Sequence, residues 1–367
     1  MLGQWIGNFS SKYQGWVVAN VDEFALNYGG VAILHPNDTK IPAVAIAFKT
    51  TDKASQFRLT TNAVVAIDPR NDLASDWESI KSLYPDYAMP TEVSISGLFT
   101  DTEMKATAVT NGGLEIIANL EKKPFTTDSD IQGTSLSWDA FKKHVSSLEG
   151  RRNLFRGQNR PWKLRTAFHR RRRYDLGRFL NEDIPALYRY VTAKTQHVFN
   201  LQIPDQNGAF FNLVQHHGYP TPLLDWTYSP YVAAFFAFRG IDKLTNQADP
   251  VRVYVFDHSS WRADWQQITM LNTAGLHLSL LEFLAIENER AIPQQSVSTV
   301  TNIDDVEAYI LIKEDQRKKK YLTAIDIPVS ERNRAMEELS YMGITGASMF
   351  PGLDGICEEL KERHFTH

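Results

Sequence analysis

The chain has 367 residues, of which 43% are hydrophobic and 22% are charged, and its formal net charge at pH 7 is -4. This length and composition are typical of a globular protein with one large domain or two ordinary ones. The net charge excludes a protein that is basic overall, so any affinity for nucleic acid has to come from a local cluster.

The cysteine count and the hydropathy pattern restrict the chain further. The single cysteine, Cys357, excludes an intrachain disulfide and a cysteine-based zinc site, and its surroundings predict a packing position on a helix. No apolar run approaches the ~20 residues of a membrane span, and the first residues lack the pattern of a signal peptide. We therefore expect a cytoplasmic protein with no membrane association.

Residues 1–122 have the pattern of short β-strands. Runs rich in β-branched residues alternate with turn signals such as Asn27-Tyr-Gly-Gly30. The predicted strands lie at residues 14–21, 30–34, 43–48, 92–99 and 105–109, and one helix is predicted at 75–84. We predict an N-terminal antiparallel β domain. Because it has no cluster of residues typical of catalysis, we expect a binding or regulatory role.

Residues 123–135 are polar and aperiodic, which predicts a linker, and residues 136–367 then alternate between helical and strand patterns. Helices are predicted at 138–145, 162–180, 183–200, 208–217, 230–240, 276–287, 303–316 and 330–342. Strands are predicted at 152–157, 222–227, 251–257, 290–300 and 321–327. The second domain is therefore predicted to be α+β.

Two motifs in the second domain concentrate polar and protonatable residues. The first is Phe155-Arg-Gly-Gln158, and the second runs from Gln215 through His216 and His217 to Thr227. Each follows or ends a predicted strand, so we expect their side chains to meet at the edge of a sheet. The helix after the second motif begins with Ser229-Pro230, where the serine is also a typical N-cap.

These motifs resemble the FRG domain, a family named after its Phe-Arg-Gly motif. The resemblance extends over residues 136 to 360 and includes Trp138, the Ala-rich segment 233–237 and residues 349–355. The chain departs from the family at Pro222, where arginine is frequent, and after Gln295, where glycine and an aromatic residue are usual.

The FRG resemblance does not by itself imply an activity, but the order of the motifs is similar to that of the ADP-ribosyltransferase fold. An arginine-bearing strand is followed by a strand that ends in Thr or Ser before an Ala-rich helix, and then by a strand that carries a carboxylate or an amide. This resemblance implies a split sheet and a reaction in which NAD loses nicotinamide through an oxocarbenium-like transition state.

The ADP-ribosyltransferase resemblance implies roles for particular residues. The expected NAD-binding residues are Arg156, Gly157, Gln158, His216 and Ser229. The expected catalytic residues are Thr227, His217, Asp225 and Gln295, where Gln295 takes the position of the usual glutamate. Glu287 and Glu289 are alternatives for the acid. No metal is expected, because adjacent histidines do not readily chelate one ion.

The strongest basic cluster is the run Arg170, Arg171, Arg172 and Arg173. Four consecutive arginines on a helix cover all its faces, so they are candidates for binding nucleic acid or for pairing with acidic neighbours.

We expect an NAD-dependent ADP-ribosyltransferase that modifies a macromolecule, either nucleic acid or protein. The context that the resemblance implies is a bacterial toxin or a phage-defence effector, with a neutralising antitoxin or a trigger protein at the N-terminal domain. One alternative is a nucleic-acid-binding or nuclease module that uses His216, His217 and the arginine cluster. Another is a non-enzymatic recognition domain in which Arg156 and Asp225 form an internal ion pair.

Overall fold

The computed structural model of the protein describes residues 1–241, 246 and 249–365. These residues form a ten-stranded sheet near the N-terminus and a seven-stranded sheet near the C-terminus, and most of the helices pack against the second sheet. The protein therefore has an α+β fold, as the sequence predicts.

The N-terminal sheet is antiparallel throughout. Its strands are β1 (Gly3–Ser10), β2 (Gln14–Glu23), β3 (Tyr28–Pro36), β4 (Val44–Lys49), β5 (Gln56–Thr61), β6 (Val64–Asp68), β7 (Leu73–Ser75), β8 (Val93–Phe99), β9 (Glu103–Thr110) and β10 (Glu115–Glu121). Their order is β5-β8-β9-β10-β1-β2-β3-β4-β6-β7. The sheet curls, so that Phe57 of β5 shares one apolar core with Trp5 of β1 and Val21 of β2.

The sequence patterns find half of this sheet. The five predicted strands correspond to β2, β3, β4, β8 and β9, whereas β1, β5, β6, β7 and β10 were not predicted. The predicted helix is shorter than expected: α1 covers Trp77–Ile80 and continues as a single 3-10 turn over Lys81–Leu83.

The C-terminal sheet has the order β11-β17-β14-β12-β13-β16-β15. Its strands are β11 (Thr134–Ser135), β12 (Leu154–Gln158), β13 (Leu223–Thr227), β14 (Pro250–Phe256), β15 (Leu278–Leu281), β16 (Ser296–Thr301) and β17 (Leu322–Pro328). All neighbours are antiparallel except β11 and β17. Strands β12 and β14 pair along their whole length, but β12 and β13 pair at one position, Phe155 with Thr227. The sheet therefore opens between β12 and β13.

Helices cover both faces of this sheet. They are α2 (Trp138–Ser146), α3 (Ala167–Arg170), α4 (Leu176–Arg178), α5 (Ile184–Thr192), α6 (Pro204–His216), α7 (Pro230–Phe238), α8 (His258–Asp264), α9 (Val306–Arg317), α10 (Arg332–Tyr341), α11 (Gly346–Met349) and α12 (Leu353–Phe365), with a π-helical turn at Phe179–Asp183 and a 3-10 turn at Val329–Glu331. Helix α7 is apolar on nearly all sides because it lies between β12 and α10 in the largest core of this domain.

Several predictions in the C-terminal region differ from the structure. The helix predicted at 183–200 ends at Thr192, and the strand predicted at 290–300 begins at Ser296. The predicted helix at 276–287 is wrong, because Leu278–Leu281 forms β15 and pairs with β16. The predicted helix at 162–180 is broken into α3 and α4, and Arg172 between them has a left-handed backbone with φ 57°. Cys357 lies on α12, as predicted, but is exposed instead of packed.

The segment 123–135, predicted as a linker, runs along the C-terminal domain and is held to it. Lys163 Nζ donates to Asp130 Oδ2 at 2.8 Å, and Arg252 Nη1 donates to the Ile131 carbonyl at 2.8 Å. Strand β11 at its end joins the C-terminal sheet. The segment is therefore an ordered connection that belongs structurally to the second domain.

The N-terminal sheet docks on the C-terminal domain through buried polar contacts. Asp22 of β2 is 0% exposed and accepts hydrogen bonds from Arg173 Nε at 2.7 Å and Arg178 Nη1 at 3.4 Å. It also accepts from the backbone N–H groups of Tyr174 at 2.7 Å and Asp175 at 3.3 Å. A buried carboxylate with four donors is fully compensated, so this contact fixes one region against the other.

Among the residues that the structure describes, we find no helix with the length and apolarity required to cross a membrane.

Candidate active site

A cleft of about 560 Å³ lies where the C-terminal sheet opens between β12 and β13. The end of α6, helix α7, the loop before β16 and the C-terminal segment complete its walls. The lining residues are Phe155, Arg156, Gly157, Asn159, Gln215, His216, Asp225, Trp226, Thr227, Ala233, Phe236, Arg239, Gly240, Arg290, Gln294, Ser296, Phe350 and Glu358. Both sequence motifs therefore meet at one site, as predicted from their positions on strands.

Arg156 spans the gap between the two separated strands. Its Nη1 donates to the backbone carbonyl of Asp225 at 2.6 Å, an oxygen that a fully paired β12 would satisfy with an N–H group. Its Nε is buried and has no hydrogen-bond partner among the described residues. Burial lowers the pKa of Arg156, and the charge of Asp225 opposes this shift. Arg156 as a residue is half-buried, but a buried N–H donor such as its Nε is costly unless an anion or another acceptor binds there.

The side chain of Asp225 is held by neutral donors. Its Oδ1 accepts from Gln215 Nε2 and, at 3.3 Å, from Ser298 Oγ, while Gln215 itself accepts from the Thr221 hydroxyl. Among the described residues, no ion pair joins the Asp225 carboxylate to Arg156. Arg156 instead donates to the backbone carbonyl of Asp225. The non-enzymatic recognition domain was expected to have an internal ion pair between Arg156 and Asp225. The described residues do not form that pair.

Thr227 and Ser229 are engaged in local hydrogen bonds. The Thr227 hydroxyl donates to the Gln294 carbonyl at 2.7 Å and accepts from the Ser229 N–H at 3.0 Å. The Ser229 hydroxyl accepts from the Val232 N–H at 3.2 Å and so caps α7. Thr227 lines the cleft, whereas Ser229 does not.

Gly157 and Gln158 lie where β12 packs in the core of the domain. A Cβ atom at Gly157 would lie 1.8 Å from the Ala233 carbonyl oxygen, so glycine is required for α7 to pack closely on β12. Gly157 also lines the cleft, so its expected role in NAD binding stays a prediction. Gln158 is 8% exposed and lies outside the lining of the cleft.

The two histidines separate at the end of α6. His216 lines the cleft, and its Nδ1 is in contact with the Asn288 side chain. Burial lowers the pKa of His216, with the charge of Asp225 opposing, so its imidazole is neutral near pH 7. His217 is exposed at the C-cap and does not line the cleft.

The predicted amide position is displaced by one residue. Gln295 is exposed, has a left-handed backbone with φ 46° and lies outside the cleft, whereas Gln294 is buried and lines it. Gln294 Nε2 donates to the Met349 carbonyl at 2.8 Å, and its Oε1 accepts no hydrogen bond from the described residues. The alternatives Glu287 and Glu289 are both exposed and away from the cleft.

The outer part of the cleft was not predicted from the sequence. Arg239 and Arg290 lie against the ring of Phe350, with guanidinium carbons 4.1 and 5.3 Å from its centroid. Arg239 forms a bidentate ion pair with Glu358 of α12, while Arg290 Nη1 donates to the His216 carbonyl at 3.0 Å.

The arginine cluster is divided between structure and solvent. Arg173 bonds to Asp22 and, at 2.8 Å, to Asp183 Oδ2, so it belongs to the docking contact. Arg170 is exposed and donates to the Arg165 carbonyl at 2.7 Å. Arg171 and Arg172 are exposed. The four side chains therefore do not form one cationic face.

Across 1–241, 246 and 249–365, no group of three or more His, Cys, Asp or Glu residues is arranged to hold a metal ion.

Taken together, the fold and the site define an α+β protein with a cationic cleft at an opening in its second sheet. Residues 151–246 match the FRG domain family, a segment that includes β12, α6, β13 and α7. This match supports the FRG resemblance at the strands that form the cleft. No curated protein matches the sequence.

Among solved structures, a redesigned beta barrel matches with 12% sequence identity over 33% of this chain and 90% of that chain, with a TM-score of 0.22. A likeness this low supports no statement about the fold.

Proposed function

We propose that the cleft binds NAD and that the protein transfers ADP-ribose from NAD to a macromolecule. The observation that carries this proposal is Arg156, a half-buried arginine that lines the cleft and whose buried Nε is an unused donor. A diphosphate supplies the acceptor oxygens that such a donor lacks. The match to the FRG domain adds support. The opening between β12 and β13 also adds support, because the resemblance to ADP-ribosyltransferases implies a split sheet.

The ends of the cleft differ in chemical character. Arg156 lies beside the strand gap with Asp225, and the ring of Phe350 lies at the other side with two guanidiniums against it. We assign the diphosphate of NAD to the guanidiniums of the cleft, with one of its phosphate groups on Arg156. A planar ring of the ligand then has Phe236 and Phe350 as aromatic neighbours, whose rings are in edge contact at 5.9 Å.

The reaction breaks the glycosidic bond between nicotinamide and ribose. The electron pair of this bond leaves with nicotinamide, which becomes neutral, and the anomeric carbon bonds to a nucleophilic atom of the acceptor, which loses a proton. Positive charge grows at the ribose, so a carboxylate or an amide oxygen nearby stabilises the transition state. Asp225 Oδ2 and Gln294 Oε1 are the candidates, because neither oxygen accepts a hydrogen bond from the described residues.

His216 is the candidate for receiving the acceptor's proton. Its imidazole is neutral near pH 7, and its Nε2 makes no hydrogen bond within the described part of the chain. In this proposal Gln294 takes the role that the sequence assigned to Gln295. His216, which the sequence assigned to NAD binding, takes the catalytic role that the sequence assigned to His217.

NAD binding and turnover test the proposal directly. Purified protein is incubated with NAD labelled in its ADP-ribose part and with cell extract separated into protein and nucleic-acid fractions. We expect label in one fraction, which names the acceptor class. We expect Arg156→Ala to weaken NAD binding by roughly tenfold or more, because it removes a charge-assisted contact.

The control is Arg160→Ala, which removes an exposed arginine that follows β12 and lies outside the cleft. It should bind NAD like the wild type. If NAD neither binds nor is consumed under any condition, or if both variants behave alike, the proposal is wrong. A folded Arg156→Ala protein that loses NAD binding also eliminates the recognition-domain alternative, in which Arg156 only holds the fold.

The acceptor, the biological role and the binding partners remain part of the proposal. A toxin or phage-defence effector fits an enzyme whose N-terminal sheet recognises an antitoxin or a trigger protein. The exposed Arg171 and Arg172 are the candidates within the cluster for contact with a nucleic-acid acceptor.

A further inference from the structure

The ion pair between Arg239 and Glu358 lies at the surface of the cleft. Both residues line it, and their side chains are 31% and 32% exposed. The pair is bidentate, with Nε and Nη2 of the guanidinium donating to the two carboxylate oxygens. A guanidinium fork fits a carboxylate and a phosphate in the same way. The carboxylate of Glu358 therefore occupies a place that a ligand phosphate can take.

Neighbouring charges increase the attraction for an anion at this place. Arg290 contacts the same Phe350 ring as Arg239 and forms no ion pair with any described residue. Because both guanidinium carbons lie within 5.3 Å of the Phe350 centroid, a second positive charge lies near the pair of Arg239 and Glu358. An anion with two or more negative charges is attracted more strongly by these guanidiniums than a carboxylate with one charge.

Helix α12, which carries Glu358, is attached mainly by its charged side. Glu358 pairs with Arg239, Glu362 pairs with Arg332, and Glu359 accepts from the Ala347 N–H at 3.1 Å. The apolar side chains of Leu353, Ile356 and Leu360 are instead exposed by 78%, 47% and 39%. Gly355 is the one residue of α12 that is buried in the described structure. Release of one ion pair therefore disturbs little apolar packing.

We propose that Arg239 is an anion subsite of the cleft, that Glu358 occupies it in the free protein, and that a phosphate group of the ligand displaces Glu358. This proposal rests on the proposed function only in requiring that the cleft receives a phosphate-bearing ligand. Glu358 then acts as an internal competitor that lowers the affinity of the cleft for phosphates, and binding changes the attachment of α12.

Inorganic pyrophosphate is the probe, and its dissociation constant is measured by calorimetry near pH 7. We expect Glu358→Gln to bind pyrophosphate about fivefold more tightly, which is the change for removing one partly exposed competing ion pair of about 1 kcal/mol. We expect Arg239→Gln to weaken pyrophosphate binding. In the double variant Arg239→Gln/Glu358→Gln, the tighter binding caused by Glu358→Gln should disappear.

Glu362→Gln is the matched control. Glu362 lies one turn further along α12 and pairs with Arg332, and neither residue lines the cleft. This variant loosens α12 to a similar degree and leaves the subsite intact, so its affinity for pyrophosphate should equal that of the wild type. Equal tightening in both glutamine variants overturns the proposal, as does an unchanged dissociation constant for Glu358→Gln.

Hydrogen exchange of the wild-type protein provides a test that needs no variant. We expect the amides of α12 to exchange faster with pyrophosphate than without it, because Glu358 is released. Unchanged or slower exchange contradicts displacement. The two proposals also fail separately: tighter pyrophosphate binding by Glu358→Gln without NAD turnover removes only the proposed function, and NAD turnover with no effect of Glu358 removes only the subsite.

Discussion

Both sheets consist mainly of antiparallel strands, but they differ in how completely neighbouring strands pair. In the N-terminal sheet, runs such as β1 to β4 and β8 to β10 pair with their neighbours in the sequence over most of their length. In the C-terminal sheet, β12 lies between β14 and β13 and meets β13 at one residue pair. Regular pairing produces a stable docking unit, whereas interrupted pairing leaves a polar opening that becomes the candidate site.

The buried charges of the two regions show the same difference. Asp22 in the N-terminal sheet accepts four hydrogen bonds, while Arg156 in the C-terminal sheet makes one and has an unused Nε. A buried charge whose hydrogen bonds are all made is a structural contact, whereas a half-buried charge in a cleft with an unused donor is a candidate for ligand binding. Substitutions at the two residues should therefore affect different properties.

The largest effect is expected for Asp22→Ala. Removing this carboxylate leaves the Tyr174 and Asp175 N–H groups without an acceptor and takes one partner from each of two arginines. The free energy of unfolding should fall by about 4 kcal/mol, as for other broken buried ion pairs. Urea denaturation monitored by tryptophan fluorescence measures this change.

The neighbouring variant Glu23→Gln is the control for Asp22→Ala. Glu23 forms an exposed ion pair with Lys53 at 2.7 Å, so its loss should change stability by less than about 1 kcal/mol. Similar stability for the two variants would mean that the buried contact does not hold the regions together.

A smaller loss is expected for Gly157→Ala in the opened sheet. The added Cβ would lie 1.8 Å from the Ala233 carbonyl, so α7 has to move away from β12. Overpacking of this kind should cost about 2–3 kcal/mol in unfolding free energy. Because α7 also forms one wall of the cleft, NAD binding should weaken as well.

Gly150→Ala is the matched control for this substitution, since a Cβ at Gly150 meets no atom within 4 Å. It should leave both stability and NAD binding unchanged. If Gly157→Ala is as stable as Gly150→Ala, the close contact between α7 and β12 does not exist in solution.

Local sequence patterns identified elements whose periodicity is unambiguous. Strands β2, β3 and β4 and helices α2, α7 and α9 follow from alternation or from helical spacing with clear caps. The segment 276–287 has apolar residues at spacings that fit both a helix and a strand. Pairing with β16, which no local pattern encodes, makes part of it a strand.

The same limit applies to the site. Arg156, Gln215 and Asp225 were identifiable because they belong to two motifs, and the strands β12 and β13 of those motifs lie side by side in the sheet. The outer residues come from distant segments, and only tertiary packing places Arg239 beside Glu358. Gln294 lines the cleft in place of the predicted Gln295 for a local reason. The left-handed backbone at residue 295 directs the two side-chain amides to different sides.

The smallest effect concerns Ser229, for which the sequence supports two roles, as a helix cap and as an NAD-binding residue. The structure contains the cap: the Ser229 hydroxyl accepts from the Val232 N–H at 3.2 Å, and the residue does not line the cleft. Ser229→Ala should therefore lower the free energy of unfolding by about 1 kcal/mol and leave NAD affinity unchanged. Thermal denaturation and calorimetric titration measure the two quantities.

Ser137→Ala is the matched variant, because Ser137 caps α2 through the Ala140 N–H at 3.3 Å and lies outside the cleft. The two alanine variants should lose similar stability and bind NAD equally well. If Ser229→Ala loses no more stability than Ser137→Ala but binds NAD tenfold more weakly, the hydroxyl contacts the ligand. The NAD-binding role that the sequence implied would then be correct, and the wall of the cleft would extend to the first turn of α7.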